Sequence, residues 1–335
     1  MTQESPEVKP TANSARPPSF WRRFGMQFGI WSVGLVMWLA FVVAAPGSFT
    51  HKEIYLAFAA TTPIFALMAI PLTLVVITGE IDLSFPSIMA LSTCAFAKTV
   101  SGGAPIIVGV LAALLMGLAC GFINGFLVTA FNIPSLVITI GTQFLFLGLE
   151  LAWTNGSGAD LTDGKFNVIN KILVGRSFFG IANQFWWTIF ATGVLWFLLN
   201  RTKFGSHVFL SGDNKISAQL MGVNVNRVKR WCFALVGICS ALAGMTGSFE
   251  VSYFWPTMGS GLLLSAIASV FLGGTSVFGG TGTVTGTFVG AFIIGAINAG
   301  IVASGINAFY TQVFFGLVII ASVLLQAIIS RRVKK

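Results

Sequence analysis

Long runs of apolar residues, separated by short polar or glycine-rich segments, cover most of the 335-residue chain. A helix needs about 20 consecutive apolar residues to cross the hydrocarbon core of a bilayer. Ten runs approach that length, at residues 24–45, 55–77, 84–99, 106–130, 136–153, 184–200, 231–250, 262–277, 284–303 and 309–329. The third and the eighth are shorter than a full crossing. The pattern predicts an all-α, polytopic helical membrane protein with about ten transmembrane segments, two of them short or broken.

The composition excludes a soluble domain, because 55% of the residues are hydrophobic and only 9% are charged. So few charges cannot solvate the surface of a water-soluble fold. The N-terminal residues 1–19 are polar and rich in proline and show no cleavable signal peptide, so we expect the first apolar run to act as an uncleaved signal anchor. The four cysteines lie inside apolar runs without the spacing of a disulfide or metal site.

Basic residues predict the orientation of the chain, because cytoplasmic loops carry an excess of lysine and arginine. Of the 19 basic residues, 14 lie in segments 1–23, 201–230 and 331–335, which ten spans place on one side. We expect a cytoplasmic N-terminal tail (1–23), a single transmembrane domain (24–330) and a cytoplasmic C-terminal tail (331–335). Loop 201–230 would be cytoplasmic and loop 154–184 would face outward. The net charge of +9 thus reflects topology rather than nucleic-acid binding.

Two carboxylates interrupt one of the most apolar stretches of the chain, where residues 78–87 read TGEIDLSFPS. Within a bilayer, a charged break between helices is tolerated only inside protein, at the surface or along a watery path. Glu80 and Asp82 either line the path of a polar solute or cap the next helix, whose N-terminal end favours anions. Asp82 or Ser84, just before a helix that begins with Phe85-Pro86, fits such a cap. The pattern is typical of a transporter or a channel.

Glycines mark a second interruption, at residues 273–282, which read GGTSVFGGTG. The cluster lacks the preceding soluble strand and the spacing of a dinucleotide-binding loop. It predicts either a hinge, in which Gly279 and Gly280 permit close backbone approach, or tight packing of neighbouring helices.

A weak internal echo links two helices, because GFING at 121–125 resembles GAINA at 295–299. The predicted topology runs these helices in opposite directions, as an inverted-topology repeat would require; a chance match is the alternative. The candidates for the translocation pathway or its gate are Gly79, Glu80, Asp82, Ser84, Asn124, Gly279, Gly280 and Asn298.

A short helix is predicted inside the cytoplasmic loop. Asp213 or Asn214 can cap a helix over residues 215–221, and Gly222 suits its left-handed end. On that helix, Ile216 and Leu220 share one face, with Met221 beside it. Two helical turns are not stable alone in water, so this apolar edge needs a partner. The partner is either another protein or the lipid headgroups.

Enzymatic function finds little support in the sequence. The only Gly-Lys pair, Gly164-Lys165, is followed by Phe166, so the chain lacks the P-loop that binds ATP phosphates. His51 and His207 fall on opposite sides of the predicted membrane, and no cluster of ligands has the spacing of a metal site. No series of buried Asp, Glu, Arg and His marks a proton relay, which argues against a secondary pump.

Several stretches together resemble one family. They are TGEIDLS at 78–84, ASVFLGGTS at 268–276 with GGTGT at 279–283, the GDN- and GVNVNRVK-containing loop 205–229, and, more weakly, residues 133–142. The chain is similar in these stretches to the membrane permease subunit of bacterial ATP-binding-cassette (ABC) importers for monosaccharides, the branch for ribose, xylose and galactose. Glu80 stands where the family has glycine, and residues 85–87 replace its Val-Gly-Ser, which leaves the substrate open. Neighbouring branches carry branched-chain amino acids or nucleosides, but the intact Asp-Leu-Ser at 82–84 and Leu-Gly-Gly-Thr-Ser at 272–276 favour the sugar branch.

The resemblance implies a non-catalytic subunit without a cofactor in the bacterial inner membrane. Its implied partners are a cytoplasmic ABC ATPase, which binds the ATP, a periplasmic sugar-binding protein and a second permease, identical or homologous, within membrane lipid. The loop that contacts the ATPase would contain Asp213, Asn214, Leu220, Met221, Gly222, Asn224 and Arg227. The alternative is a self-contained channel or secondary carrier for a small polar solute, with a membrane enzyme a distant third.

Overall fold

The computed structural model describes residues 32, 34–36, 38–43, 45–305, 307 and 309–333. The expected N-terminal tail, the start of the first span and the last two residues of the C-terminal tail lie outside the described residues. The helices are α1 (Gly34–Val43), α2 (Pro46–Phe49), α3 (Lys52–Ile77), α4 (Phe85–Ser101), α5 (Ile106–Phe131), α6 (Ser135–Thr154), α7 (Asn167–Leu173), α8 (Asn183–Arg201), α9 (Lys203–Asp213), α10 (Lys215–Leu220), α11 (Val225–Glu250), α12 (Leu262–Leu272), α13 (Val284–Ala303) and α14 (Tyr310–Val333).

The helices follow the apolar runs of the sequence. Helices α3, α4, α5, α6, α8 and α13 begin and end within three residues of their predicted limits. Of the described helices, five are long and apolar enough to cross a membrane, namely α3, α5, α6, α11 and α13. The protein is therefore a helical membrane protein, but its helix lengths and compositions do not confirm ten crossings. The two segments predicted to be short are α4, with 17 residues, and α12, with 11.

Helix α3 lies at the centre of the bundle. In its most apolar window 89% of the residues are buried, against 28% in α5 and in α6. It packs against α8, α11, α12 and α13. A helix that is hydrophobic all round belongs inside a protein or a membrane bundle rather than at a surface. The break that follows α3 is consequently held between several packed helices.

Small residues bring α5 and α11 into close contact. A Cβ added at Gly117 would overlap the backbone of Gly237, and one added at Gly121 would overlap the backbone of Phe233. Such small residues allow membrane helices to approach closely enough for dense van der Waals packing. Of these two helices, α11 also packs against α3.

The predicted outward loop 154–184 is partly structured. It contains α7 and the two-residue strand β1 (Ala159–Asp160), which pairs antiparallel with β2 (Tyr253–Phe254) just after α11. Thr162 donates its backbone N–H and its hydroxyl to the carboxylate of Asp160, both at 2.9 Å, and these bonds lower the pKa of Asp160. The strand pair ties the loop to the segment that leads into α12.

Candidate functional site

The first break in the helices begins with a glycine cap at the end of α3. Gly79 adopts a left-handed conformation, with φ of +80°. Its N–H bonds to the carbonyl of Val76 at 2.9 Å, and the N–H of Glu80 bonds to the carbonyl of Val75 at 3.2 Å. This is the Schellman arrangement, which ends a helix while satisfying its last carbonyls. The sequence thus stops α3 without leaving these groups unpaired inside the protein.

A buried hydrogen-bonded cluster follows the cap. Oδ1 of Asp82 accepts the backbone N–H of Ser84 at 2.8 Å and the hydroxyl of Ser84 at 2.7 Å. The amide nitrogen of Asn124, on α5, approaches the same hydroxyl oxygen at 2.6 Å. All three residues are 0% exposed. Oδ2 of Asp82 and Oδ1 of Asn124 have no hydrogen-bond partner within the described part of the chain.

The cluster bears on the two roles considered for Asp82. Ser84 occupies the N-cap position of α4, but its side chain bonds to no backbone N–H of that helix. Asp82 instead fixes the residue immediately before α4. The N–H of Ile81 also donates to Oγ of Ser135 at 2.9 Å, which fastens the break to the start of α6. Asp82 therefore has a structural role in this conformation, and contact with a solute stays a prediction.

The second break begins in the same way as the first. At the end of α12, Gly274 has φ of +82° and its N–H bonds to the carbonyl of Phe271 at 3.0 Å. The N–H of Thr275 bonds to the carbonyl of Val270 at 3.2 Å. Both breaks thus use a left-handed glycine in a Schellman cap. Helix α12 ends at residue 272, five residues before the predicted end of its span, because this cap intervenes.

The two breaks and the end of α9 meet at one junction. The N–H of Gly280 donates to the carbonyl of Ile77 at 2.8 Å. A Cβ added at Gly279 would lie 3.1 Å from the Cα of Gly79 and 3.1 Å from the carbonyl oxygen of Gly212. We call this contact of Ile77, Gly79, Gly212, Gly279 and Gly280 the glycine junction. The sequence predicted close backbone approach at Gly279 and Gly280 but not the participation of Gly212.

The predicted cytoplasmic helix is present as α10. Asn214, rather than Asp213, supplies the cap, because its side-chain oxygen accepts the N–H of Ser217 at 3.0 Å. Gly222 has φ of +82°, as its predicted role at the helix end requires. Asn214 also ends α9, so that a single residue links the two helices. Helix α10 therefore follows directly on α9, which carries Gly212 of the glycine junction.

The apolar edge of α10 is uncovered in the described chain. Leu220 is 84% exposed, Ile216 70% and Met221 62%, whereas Ala218 is fully buried against the protein. Burial of such side chains contributes about 1.5–3 kcal/mol each, so an edge of this kind is typical of an interaction surface.

Loop 201–230 contains more helix than the sequence pattern predicted, since α10 is not its only helical part. Helix α9 was missed, although Thr202 at its N-cap accepts the N–H of Gly205 at 3.4 Å and was a readable signal. Helix α11 begins at Val225, six residues earlier than predicted, because Asn224 caps it by accepting the N–H of Arg227 at 3.0 Å.

An ion pair between Glu80 and Lys229 joins the first break to α11. Lys229 is only 8% exposed. Next to it, Nε of Arg230 donates to the hydroxyl of Thr129 at 2.8 Å. From sequence, these basic residues were expected only to set the orientation of the chain, and Glu80 to line the pathway or cap a helix. The structure adds that the charges fasten α11 to the break and to α5.

The remaining candidate, Asn298, does not join the cluster. It is exposed on α13 and makes none of the hydrogen bonds that tie Asn124 to Ser84. The two asparagines of the sequence echo therefore have different surroundings. In the described part of the chain, no group of three or more His, Cys, Asp or Glu side chains is arranged to hold a metal ion.

Comparison with known proteins adds the identity of the family. Residues 54–323 match the family described as the permease component of the branched-chain amino acid transport system. The ribose import permease protein RbsC of Escherichia coli K12 is 32% identical over 266 residues, which cover 78% of this chain and 82% of that protein. The Haemophilus influenzae ribose import permease protein is 33% identical over 265 residues, or 78% and 81% of the two chains.

A further relative imports a different molecule. The autoinducer 2 import system permease protein LsrC of Yersinia pseudotuberculosis, strain YPIII, is 36% identical over 236 residues, which cover 69% of this chain and 65% of that protein. No solved structure gives a significant match. From the family match and the extent of these similarities, the chain belongs to the permease components of the branched-chain amino acid transport family.

Proposed function

We propose that the chain is the transmembrane subunit of an ATP-driven ABC importer that carries a monosaccharide or related polyol across the bacterial inner membrane. The uncovered apolar edge of α10 carries the proposal. A permease without a P-loop needs a separate ATPase, and α10 offers that subunit an apolar contact. The import of ribose and autoinducer 2 by the relatives supports a small hydroxylated solute.

The partners follow from this assignment. A cytoplasmic ABC ATPase binds ATP and docks on α10, with Asp213, Leu220 and Met221 at the contact. A periplasmic binding protein delivers the sugar to the outward loop, and two permeases, identical or homologous, stand side by side. Helix α10 follows directly on α9, whose Gly212 lies in the glycine junction, so ATPase movement would reach both breaks through α9.

The solute would pass beside the two breaks. Gly79, Gly279 and Gly280 would act as the gate, because their backbones contact one another without intervening side chains. Asp82, Ser84 and Asn124 would line or support the path, and Glu80 would hold it shut through Lys229. Asn298 lies outside this cluster and would contribute to the path only from the exposed surface of α13.

The orientation is part of the proposal, with ten spans and both termini in the cytoplasm. Reporter fusions test it. A reporter after Lys335, or inserted near Asp213, should report the cytoplasm, and one near Asp163 the periplasm. A periplasmic C-terminus would overturn the ten-span count.

Reconstitution in proteoliposomes separates the proposal from a self-contained channel or secondary carrier. The chain is assayed alone and with its ATPase and periplasmic binding protein, against a panel of radiolabelled pentoses and hexoses. We expect uptake only in the complete system, and only with ATP. Uptake by the purified chain without ATPase would establish the carrier and refute the importer.

A further inference from the structure

A small cavity with both polar and apolar lining lies beside the first turn of α4. Its volume is about 200 Å³, and its polar lining comes from Ser87 of α4, Gln143 of α6, and Thr257 and Ser260 in the segment between β2 and α12. That segment follows directly on the strand pair with the outward loop. In the proposed topology the cavity therefore lies on the periplasmic side of the first break.

The polar side chains around the cavity have no partners in the protein. Within the described residues, the side chains of Ser87, Gln143, Thr257 and Ser260 make no hydrogen bond with other protein groups. Gln143 lies on α6, one of the helices apolar enough to cross a membrane. Gln143 is half-buried, whereas Thr257 and Ser260 are exposed, so their polar groups are open to a ligand. Polar residues retained in membrane helices are usually functional. Their free groups face the cavity.

The cavity lies close in the chain to the buried cluster of the first break. Gly259 packs against Pro86, where an added Cβ would overlap the proline carbonyl, so the 256–261 segment reaches the N-terminal end of α4. Ser84, which bonds to Asp82 and Asn124, stands two residues before Pro86. The lining of the cavity at Pro86 and Ser87 is thus separated from the cluster at Ser84 by less than one helical turn of α4.

We propose that this cavity is a binding station for a neutral polyol on the outward half of the translocation path. The proposal rests on the importer function given above. Hydroxyl and carboxamide groups both donate and accept hydrogen bonds, which matches the hydroxyls of a sugar. Among the described residues, no charged side chain lines the cavity, whereas a zwitterionic amino acid would need charged partners. The volume, below the 300–1,000 Å³ of pockets for drug-sized ligands, suits a solute no larger than a monosaccharide.

Thiol accessibility tests whether the cavity opens to the outside. In a complete transporter whose native cysteines are replaced by alanine, Gln143→Cys and Ser260→Cys are treated from the periplasmic side with a membrane-impermeant, positively charged methanethiosulfonate. Both thiols should react. Leu145→Cys on the same helix is the matched control, because Leu145 is 53% exposed but does not line the cavity and should stay unlabelled in lipid. An unreactive Gln143→Cys overturns the proposal, as does equal labelling of the control.

Uptake of radiolabelled D-ribose by the complete transporter tests contact with the sugar. Gln143→Leu should slow uptake at low sugar concentration about two- to tenfold, the loss expected for one or two hydrogen bonds. Binding-protein-stimulated ATP hydrolysis should persist. Unchanged uptake, or loss of stimulated hydrolysis with Gln143→Leu, would overturn the sugar contact and leave the importer function standing. Wild-type uptake that needs no ATPase would instead refute the importer function.

Discussion

Replacing the apolar edge of α10 with charge tests whether this helix docks on an ATPase. The double change Leu220→Asp and Met221→Asp removes side chains that are 84% and 62% exposed. Full burial of one such side chain contributes about 1.5–3 kcal/mol. Scaled by the exposed fractions, the pair offers roughly 2–4 kcal/mol of binding free energy, or about 30- to 900-fold in the dissociation constant. Desolvation of the new carboxylates would add to that loss.

The assay is co-purification of the ATPase with the permease, together with binding-protein-stimulated ATP hydrolysis. The double variant should still insert, because α10 packs on the protein through Ala218, which it keeps. ATPase recovery and stimulated hydrolysis should both be lost. Ser217→Asp with Gln219→Asp is the matched control, since it adds the same charge to the same helix without removing apolar area.

Two results would refute the reasoning. ATPase recovered at wild-type stoichiometry with the Leu220→Asp, Met221→Asp variant would exclude docking on this edge and favour lipid headgroups as its partner. An equal loss with the Ser217→Asp, Gln219→Asp control would show that charge, rather than apolar burial, governs the contact.

The other predictions concern the breaks. Gly280→Leu should abolish uptake, because the residue has φ of +75° and its Cβ would lie 3.2 Å from the Cα of Asp213; the left-handed conformation alone costs a larger residue about 1–2 kcal/mol. Glu80→Gln should lower stability by roughly 2–3 kcal/mol in thermal unfolding, because it leaves the ammonium of Lys229 buried without its carboxylate. Asn124→Leu should cost about 1–3 kcal/mol in the same measurement and slow uptake, because it removes the bond to Ser84.

Each of these predictions has a matched control variant. Gly148→Leu on α6 meets no heavy atom within 4 Å of the added Cβ and should transport normally. Glu80→Lys with Lys229→Glu should restore most of the stability lost by Glu80→Gln, and failure of this exchange would show that the pair itself contributes little. Asn298→Leu, at an exposed position on α13, should be neutral within about 0.5 kcal/mol. Wild-type transport by a well-expressed Gly280→Leu variant would favour plain helix packing at the second break.

The parts of the site that sequence could predict are those determined by neighbouring residues. The end of α10 at Gly222 and its cap at either Asp213 or Asn214 follow from local hydrogen bonding and backbone conformation, so the pattern predicted them. The structure then decided for Asn214. The limits of α3, α4, α5, α6, α8 and α13 followed from the lengths of their apolar runs. Helix α9 and the early start of α11 carried caps too, at Thr202 and Asn224, but in a polar loop these signals were outweighed by composition.

The parts that sequence could not predict depend on tertiary contacts. Glu80 and Lys229 are 149 residues apart, and nothing local pairs them. The glycine junction likewise joins three distant segments, and the role of Gly212 appears only when α9 is in place. For Asp82, local spacing allowed both a structural and a solute-binding role. In the structure its partner is Ser84, whose hydroxyl also bonds to Asn124 on the distant helix α5.

The glycine junction has a mechanical consequence. Gly212, Gly279 and Gly79 touch through main-chain atoms, so no rotatable side chain stands between them to absorb a displacement. The single-residue link at Asn214 passes movement of α10 straight into this contact. A displacement of α10 at the membrane surface would then be transmitted to the end of α3 with little loss. A residue larger than glycine would place a side chain in this contact, and rotation of that side chain would absorb part of the movement.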